Sequence, residues 1–400
     1  MTIFNPVDPE FLQNPYPVYK ELLAKSPTFY HEPSRLWYFA RHIDVDSILR
    51  DRRFGRSILH VMKREELDMP PENPAYEPFY KLGRHSMFDK EPPDHTRLRT
   101  LVHLAFTPRR IQKMKTNIQH TVNTMLDEAG VTRRIDLLAD FAVPLSVTVI
   151  ADLLGIPLSD RPKLRPWSNA IVKLYELDHT PQQADAAIQA SQEFADYLKS
   201  LAQQRRENPQ DDLITALALA EEAGDQLSED ELISTCVLLL NAGHEATVNV
   251  IGNGCLALFR HPHHLEQLRQ SPGLISIAIE ELMRYDSPLQ LFRRWVLQDL
   301  TFGNIELRQG MQVGLMFGAA NHDPAVFEKP EMLDISRDPN PHISFGGGVH
   351  YCLGAPLARL ELRIAFGTLL ERFPEMQLAA EPQFHPAYVI RGLQALVVAL

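Results

Sequence analysis

Apolar residues recur at three- and four-residue spacing along most of the chain. This period predicts helices over 15–26, 95–130, 138–154, 184–206, 228–260, 264–285 and 355–372. Strand-like runs are few and short: "LWYFAR" at 36–41, "LTFGNIELRQGMQVGL" at 300–315, and "YVIRGLQALVVAL" at the C-terminus. The expected fold is mainly α with a minor β part. No internal repeat, low-complexity tract or Gly/Ser linker interrupts the pattern, so residues 1–400 read as a single domain. Two stretches lack periodicity and read as long irregular loops, Ser57–Lys90 around "MPPENPAYEP" and Leu174–Gln182. Such loops in a compact domain serve as lids or entrances.

The longest periodic segment opens at "SEDE", where Ser228 and Glu231 have capping-box spacing, and runs to about Phe259. At 1.5 Å per residue it spans roughly 45–48 Å. It is apolar on nearly every side, which marks a central helix. Ala242, Gly243, His244, Glu245 and Ala246 stand out against that background. Glycine mid-helix costs on the order of 1 kcal/mol relative to alanine, and a carboxylate in an apolar run needs a partner. Ala242 and Ala246 are i,i+4 neighbours and, with Gly243, cut a notch. The notch suits either a close helix crossing or a flat ligand with a proton-handling acid at its edge. A zinc-protease reading of "HEATV" fails, because Val248 stands where the second histidine of H-E-x-x-H belongs.

Charge and cysteine usage narrow the function classes. A formal net charge of −11 is unsuited to nucleic-acid binding. The N-terminus carries no targeting pattern and no segment offers 18 uncharged apolar residues, so a cytoplasmic protein without membrane association is expected. Three cysteines, widely spaced and odd in number, fit a reducing compartment. Cys236 and Cys255 occupy apolar helix positions and read as buried small hydrophobes. Cys352 differs: in "FGGGVHYCLG" it follows three glycines and precedes a helical pattern with Pro356 in its first turn. Unpaired N–H groups and the dipole at a helix start stabilise a thiolate, and glycines let the backbone wrap closely around it. Such a thiolate is a nucleophile or a metal ligand. A nucleophile needs a histidine base, and His350, two residues away in an extended loop, is poorly placed for that role.

"FGGGVHYCLG" resembles the cysteine-ligand loop of the cytochrome P-450 superfamily of haem-thiolate monooxygenases. "AGHEAT" is similar to that family's oxygen-activation motif, "ELMR" (Glu281 to Arg284) to its E-x-x-R pair, and "PPDHTRLR" to the haem-propionate segment of its soluble bacterial members. The four motifs occur in family order. The resemblance implies a triangular prism of about a dozen helices around a long central helix, with small β-sheets. It also implies haem b and neither flavin nor an iron–sulfur cluster.

Each role implied by the resemblance has a physical reason. Cys352 would be the metal ligand, with Phe345 packed beside the sulfur and Gly354 and Ala242 lining the cofactor. His95, Arg99, Arg294 and His350 would bind the propionates, with Arg293 as the alternative to Arg294. Glu281 and Arg284, taken alone a surface ion pair, would form a buried structural anchor completed by Arg337. Glu245 would relay protons. The family's usual alcohol after the acid is here Ala246, and Thr247, about 100° further round the helix, cannot take its place. Water or a substrate hydroxyl must then supply the missing bond, which points to a hydroxylated polyketide, macrolide, terpenoid or fatty-acid-like substrate. Met87, Phe88, Leu238, Leu239, Leu289, Leu291, Phe292, Val389 and Ile390 would line an apolar pocket for hydroxylation or epoxidation. Electrons would come from a separate ferredoxin or flavodoxin and its NAD(P)H-dependent reductase. That partner would dock on a basic face of Arg109, Arg110, Lys113, Lys115, Arg359 and Arg363 on a monomer. A peroxide-using peroxygenase and a non-catalytic haem-thiolate sensor are the alternatives.

Overall fold

The computed structural model describes residues 4–174, 180–222 and 224–400. Fifteen α-helical segments lie among the described residues, with four small sheets, so the fold is mainly α with a minor β part, as expected. The chain forms two compact units, each assembled from separate stretches. One holds the chain up to Gly55, Thr116–Leu145 and Ala246–Leu400; the other holds Arg56–Lys115 and Ser146–Glu245.

The first unit contains the principal sheet. Its strand order is Thr28–His31, Leu36–Phe39, Gln312–Leu315, Phe292–Val296, Phe54–Gly55, with Gln312–Leu315 parallel to Leu36–Phe39 and the other pairs antiparallel. Phe39, Val45, Ile48, Val313, Leu315, Phe317 and Ile343 form an apolar core against this sheet. In the second unit, Pro181–Glu207 is the longest helix wholly contained there.

Proline explains most departures from the expected boundaries. The single helix expected over 95–130 is two, Asp94–Ala105 and Pro108–Thr132, with Pro108 opening the second. The helix expected over 264–285 is likewise divided into Pro262–Gln270 and Ile275–Tyr285, with Pro272 between them. At 138–154 the first turn, Leu137–Ala142, is wound as π-helix ahead of Val143–Leu154, where Pro144 has no N–H to donate. This apolar stretch, Leu137–Leu154, is long enough to cross a membrane, but 67% of it is buried within the fold.

The segment expected to be an irregular loop, Ser57–Lys90, carries the helix Glu77–Arg84. Its base is fastened by the Glu91 carboxylate, which accepts backbone N–H groups from Arg56 and Ser57. Of Leu174–Gln182, residues 175–179 lie outside the described residues. Pro181 already begins a helix there, capped by reciprocal bonds between Thr180 and Gln183 at 2.8 and 3.2 Å.

Candidate functional site

The cysteine segment lies in the first unit. Gly346 and Gly348 adopt φ of +71° and +65°, which turns the chain sharply after Phe345. At Gly348 a side chain is excluded as well, since a Cβ would sit 2.1 Å from the Leu49 carbonyl oxygen. The Cys352 N–H then donates to the Phe345 carbonyl at 3.0 Å and closes the loop. Gly354 is the N-cap of the helix Ala355–Arg372, with Pro356 in the first turn. The cap makes no side-chain hydrogen bond, and the Cys352 sulfur lies 3.9 Å from where a Gly354 Cβ would stand. Cys352 is half-buried, whereas Cys236 and Cys255 are buried and their thiols are pushed up to about 12 by desolvation. Those two are inert packing residues.

Behind this loop Glu281 and Arg284 are fully buried and form a hub. Arg284 donates to both Glu281 carboxylate oxygens at 2.7 and 2.8 Å, and to the carbonyls of Asn321, Pro330 and Met332 at 2.9 to 3.2 Å. All five guanidinium N–H groups are thereby used. Glu281 also accepts from Asp334 N at 2.9 Å, Arg337 Nε at 3.1 Å and Asn340 Nδ2 at 3.1 Å. Asn321 extends the hub to the cysteine segment, accepting from Ile343 N and donating to Ser344 Oγ, both at 2.9 Å.

Strand alternation separates the two candidate arginines. Arg293 faces solvent, while Arg294 is 3% exposed with its guanidinium over the Phe292 ring at 4.6 Å. Phe292 and Leu289 pack on the sheet core, whereas Leu291 lies inside a different apolar cluster with Tyr19, Tyr38 and Met316. Leu289 pairs with Ile390 across an isolated antiparallel bridge, beside the exposed Val389. His350 is half-buried in the short helical turn Gly348–His350.

In the second unit, His95 is buried in the first turn of Asp94–Ala105, and Arg99, half-buried, follows one turn later on the same face. Met87 is buried and Phe88 exposed on the turn Met87–Asp89, with the Arg56 guanidinium 4.2 Å above the Phe88 ring. Arg110 and Lys113 share Asp211 at 3.6 and 2.9 Å, so part of the expected basic face is neutralised. Arg359, in the first unit, is likewise bound to Glu280 and is not an exposed docking cation.

The central helix, Glu229–Arg260, begins at the expected capping box, Ser228 N donating to Glu231 at 2.8 Å and Glu231 N to Ser228 Oγ at 3.3 Å. The two readings of its notch fall on different faces. Gly243 carries the crossing: a Cβ there would be 2.6 Å from Ile150 Cδ1 of the helix Val143–Leu154. Ala242 and Ala246 are exposed in a helix whose other positions are mostly buried, with Leu238 half-buried one turn earlier and Leu239 buried. Thr247 is buried, so its hydroxyl does not replace one at Ala246 on the exposed strip; Glu245 is half-buried.

The chemistry of these donors fits haem. A half-buried sulfur just ahead of a helix start suits a metal–thiolate bond, an exposed alanine strip on the central helix admits a planar face, and the buried Arg294 of the first unit, like the buried His95 of the second, is the kind of group that carboxylates in an apolar protein require. Sequence reasoning missed Asn321, Asn340 and Glu280; for Glu280 the acidic doublet "EE" ahead of "LMR" was the available signal.

The family model described as Cytochrome P-450 matches residues 56–271 and 274–386. The chain is 41% identical to "Polyketide biosynthesis cytochrome P-450 PksS" of Bacillus subtilis (strain 168), over 100% of this chain and 98% of that one. It is 40% identical to "Biotin biosynthesis cytochrome P-450" of the same organism, over 97% of each. Among solved structures, P-450 BioI in complex with hexadec-9Z-enoic acid ligated acyl carrier protein matches at a TM-score of 0.90 and 38% identity, covering 98% of this chain and 99% of that one. A family model spanning most of the chain, and relatives near 40% identity along nearly all of it, establish that the chain belongs to the cytochrome P-450 family of haem-dependent monooxygenases.

Proposed function

We propose that this protein is a monooxygenase that uses haem b, ligated by Cys352, to hydroxylate or epoxidise an acyl or polyketide chain that already carries a hydroxyl. The observation that carries this reading is Cys352 itself, half-buried at the end of a glycine turn and two residues ahead of the Gly354 cap of Ala355–Arg372. Thiolate-ligated haem supplies reductive activation of O2 and insertion of one oxygen atom into an unactivated C–H bond.

The chain's own residues bind, orient and deliver protons. Cys352 takes stabilisation from the positive dipole end of Ala355–Arg372, with Phe345 at the sulfur and Gly354 and Ala242 leaving room for the ring. His95, Arg99, Arg294 and His350 hold the propionates. Glu245 passes protons inward. Ala246 offers no hydroxyl on the exposed strip and Thr247 is buried, so a water or the substrate's own hydroxyl completes the hydrogen bonding. Met87, Phe88, Leu238, Leu239, Leu289, Phe292, Val389 and Ile390 form the apolar lining, with Leu291 supporting it from the core. Electrons arrive from a ferredoxin or flavodoxin and its NAD(P)H-dependent reductase, to a cytoplasmic monomer. Support for the substrate class comes from relatives, one named for polyketide biosynthesis and one crystallised with an acyl carrier protein bearing hexadec-9Z-enoic acid.

The test titrates holoprotein with hydroxylated and unsubstituted C16 acids, free and carrier-bound, reading the Soret shift and then product with a surrogate ferredoxin pair and reduced nicotinamide. A shift and turnover with hydroxylated acyl chains are expected. Substrate-independent oxidation of nicotinamide, with no product from any acyl compound, overturns the substrate assignment.

A further inference from the structure

Two successive carboxylates precede "LMR", and only Glu281 belongs to the buried hub. Glu280 points elsewhere. Its two oxygens accept from Arg359 Nε and Nη2, both at 2.7 Å, which joins Ile275–Tyr285 to the helix that starts after Cys352. Glu280 Oε2 also lies 3.0 Å from His342 Nε2. The other ring nitrogen of His342, Nδ1, receives the backbone N–H of Ser344 at 3.2 Å. Since that N–H can only donate, Nδ1 is the acceptor and Nε2 carries the proton toward Glu280.

Arg359 reaches the cysteine turn itself. Its guanidinium lies 4.5 Å from the centre of the Phe345 ring, and Nη1 is 3.2 Å from the Tyr351 hydroxyl. Phe345 and Tyr351 begin and end the stretch that turns through Gly346 and Gly348, and Tyr351 directly precedes Cys352. Within the stretch, the Cys352 N–H to Phe345 bond and the Tyr351 N–H to Gly348 bond, 3.0 and 3.2 Å, span few residues. Glycines at positive φ supply shape without rigidity. The Glu280–Arg359–His342 cluster supplies the rigidity: the His342 side chain is 2% exposed, that of Glu280 24%, and the carboxylate uses both oxygens. A bidentate, partly buried pair of this kind holds geometry where a solvated surface pair does not. Hydrogen bonds from Arg359 and His342, acting against burial, bring the Glu280 carboxyl down to about 2, so it stays anionic at neutral pH.

We propose that Glu280 is a positioning residue for the Cys352 sulfur: through Arg359 and His342 it fixes Phe345 and Tyr351, and with them the turn that presents the sulfur to haem. The proposal rests on Cys352 being the haem ligand. The experiment compares full-length holoprotein with Glu280→Gln, Arg359→Gln, the double variant, and the milder Arg359→Lys, which keeps charge but loses the planar fork. Amide hydrogen exchange is read at Tyr351 and Cys352, together with the fraction of reduced, carbon monoxide-treated protein showing the red-shifted thiolate band. Glu280→Gln is expected to speed exchange at those two amides roughly tenfold while Glu229–Arg260 keeps its protection, and to lower the thiolate-band fraction. The double variant should be no worse than either single one, and Arg359→Lys should fall between wild type and Arg359→Gln. A wild-type thiolate band with unchanged local exchange in both Gln variants overturns the positioning role alone. Losses that add in the double variant overturn it too. Absence of the band from wild type removes the ligand assignment, and the positioning role with it.

Discussion

Replacing Glu281 by glutamine tests the hub behind the cysteine loop. The wild-type carboxylate receives five donors, two from Arg284 and one each from Asp334, Arg337 and Asn340. Glutamine keeps one acceptor oxygen and turns the other into a donor. If the amide nitrogen takes the Oε1 position it faces Arg284 Nη2 and the Asp334 N–H; at Oε2 it faces Arg284 Nε, Arg337 Nε and Asn340 Nδ2. Either rotamer leaves at least two buried donors without an acceptor and the Arg284 charge without its counter-ion. Removing one partner of a buried pair costs about 3–5 kcal/mol, a sizeable part of a typical total stability. At the usual unfolding entropy per residue, a loss of about 4 kcal/mol lowers the melting temperature of a 400-residue chain by about 5 °C. The assay is calorimetry of Glu281→Gln against wild type, with Glu281→Leu/Arg284→Leu as a control. In an isolated buried pair, apolar double replacement often restores stability. Here it should not, because the carbonyls of Asn321, Pro330 and Met332 would lose their donor as well. A shift under about 1 °C for Glu281→Gln, or recovery in the double variant, would refute the hub as an energetic unit.

His322 is held neutral by burial, its folded value lowered from 6.5 to about 3. The unfolded chain therefore takes up this proton first as the solution is acidified; the associated stability is complete above about pH 6.5, is lost progressively toward pH 3, and is on the order of 5 kcal/mol. His322→Gln should flatten the acid loss of stability across that window, and equal slopes in the two proteins would contradict this. Gly348→Ala forces a side chain onto a residue with φ +65° and against the Leu49 carbonyl oxygen, so at least about 3 kcal/mol of stability and most bound haem should be lost, measured by unfolding and haem absorbance. Ala246→Thr should raise product per nicotinamide consumed for a substrate lacking its hydroxyl and leave the hydroxylated one unchanged or worse, a difference of about 1–3 kcal/mol in hydrogen bonding. Equal coupling for both substrates in both proteins would transfer the role to ordered water.

The parts of the fold legible from sequence were those set by local rules. The capping box at Ser228 and Glu231, the start of Ala355–Arg372 after Gly354, and the burial of Cys236 and Cys255 follow from spacing and composition. Helix breaks at Pro108 and Pro272 were also written in the chain, but an apolar period continuing across each proline masked them. The helix His42–Arg50 was overlooked although Val45, Ile48 and Leu49 have helical spacing, because nine residues give a weak periodic signal. At the candidate site the split between Glu280 and Glu281 was out of reach. Which carboxylate meets Arg284 and which meets Arg359 depends on segments more than fifty residues downstream, and side-chain charge alone does not distinguish them. The same non-local pairing engages Arg359 and Arg110, whereas Lys113 stays exposed beside Asp211, so the basic face is thinner than the sequence positions suggested.

Ligation of haem by Cys352 is read from the absorbance of reduced holoprotein under carbon monoxide. Wild type is predicted to show the strongly red-shifted Soret band of a thiolate ligand, and Cys352→His to retain haem without that band. A wild-type spectrum like that of histidine-ligated haem, or a Cys352→His protein that keeps the thiolate band, would rule out Cys352 as the ligand.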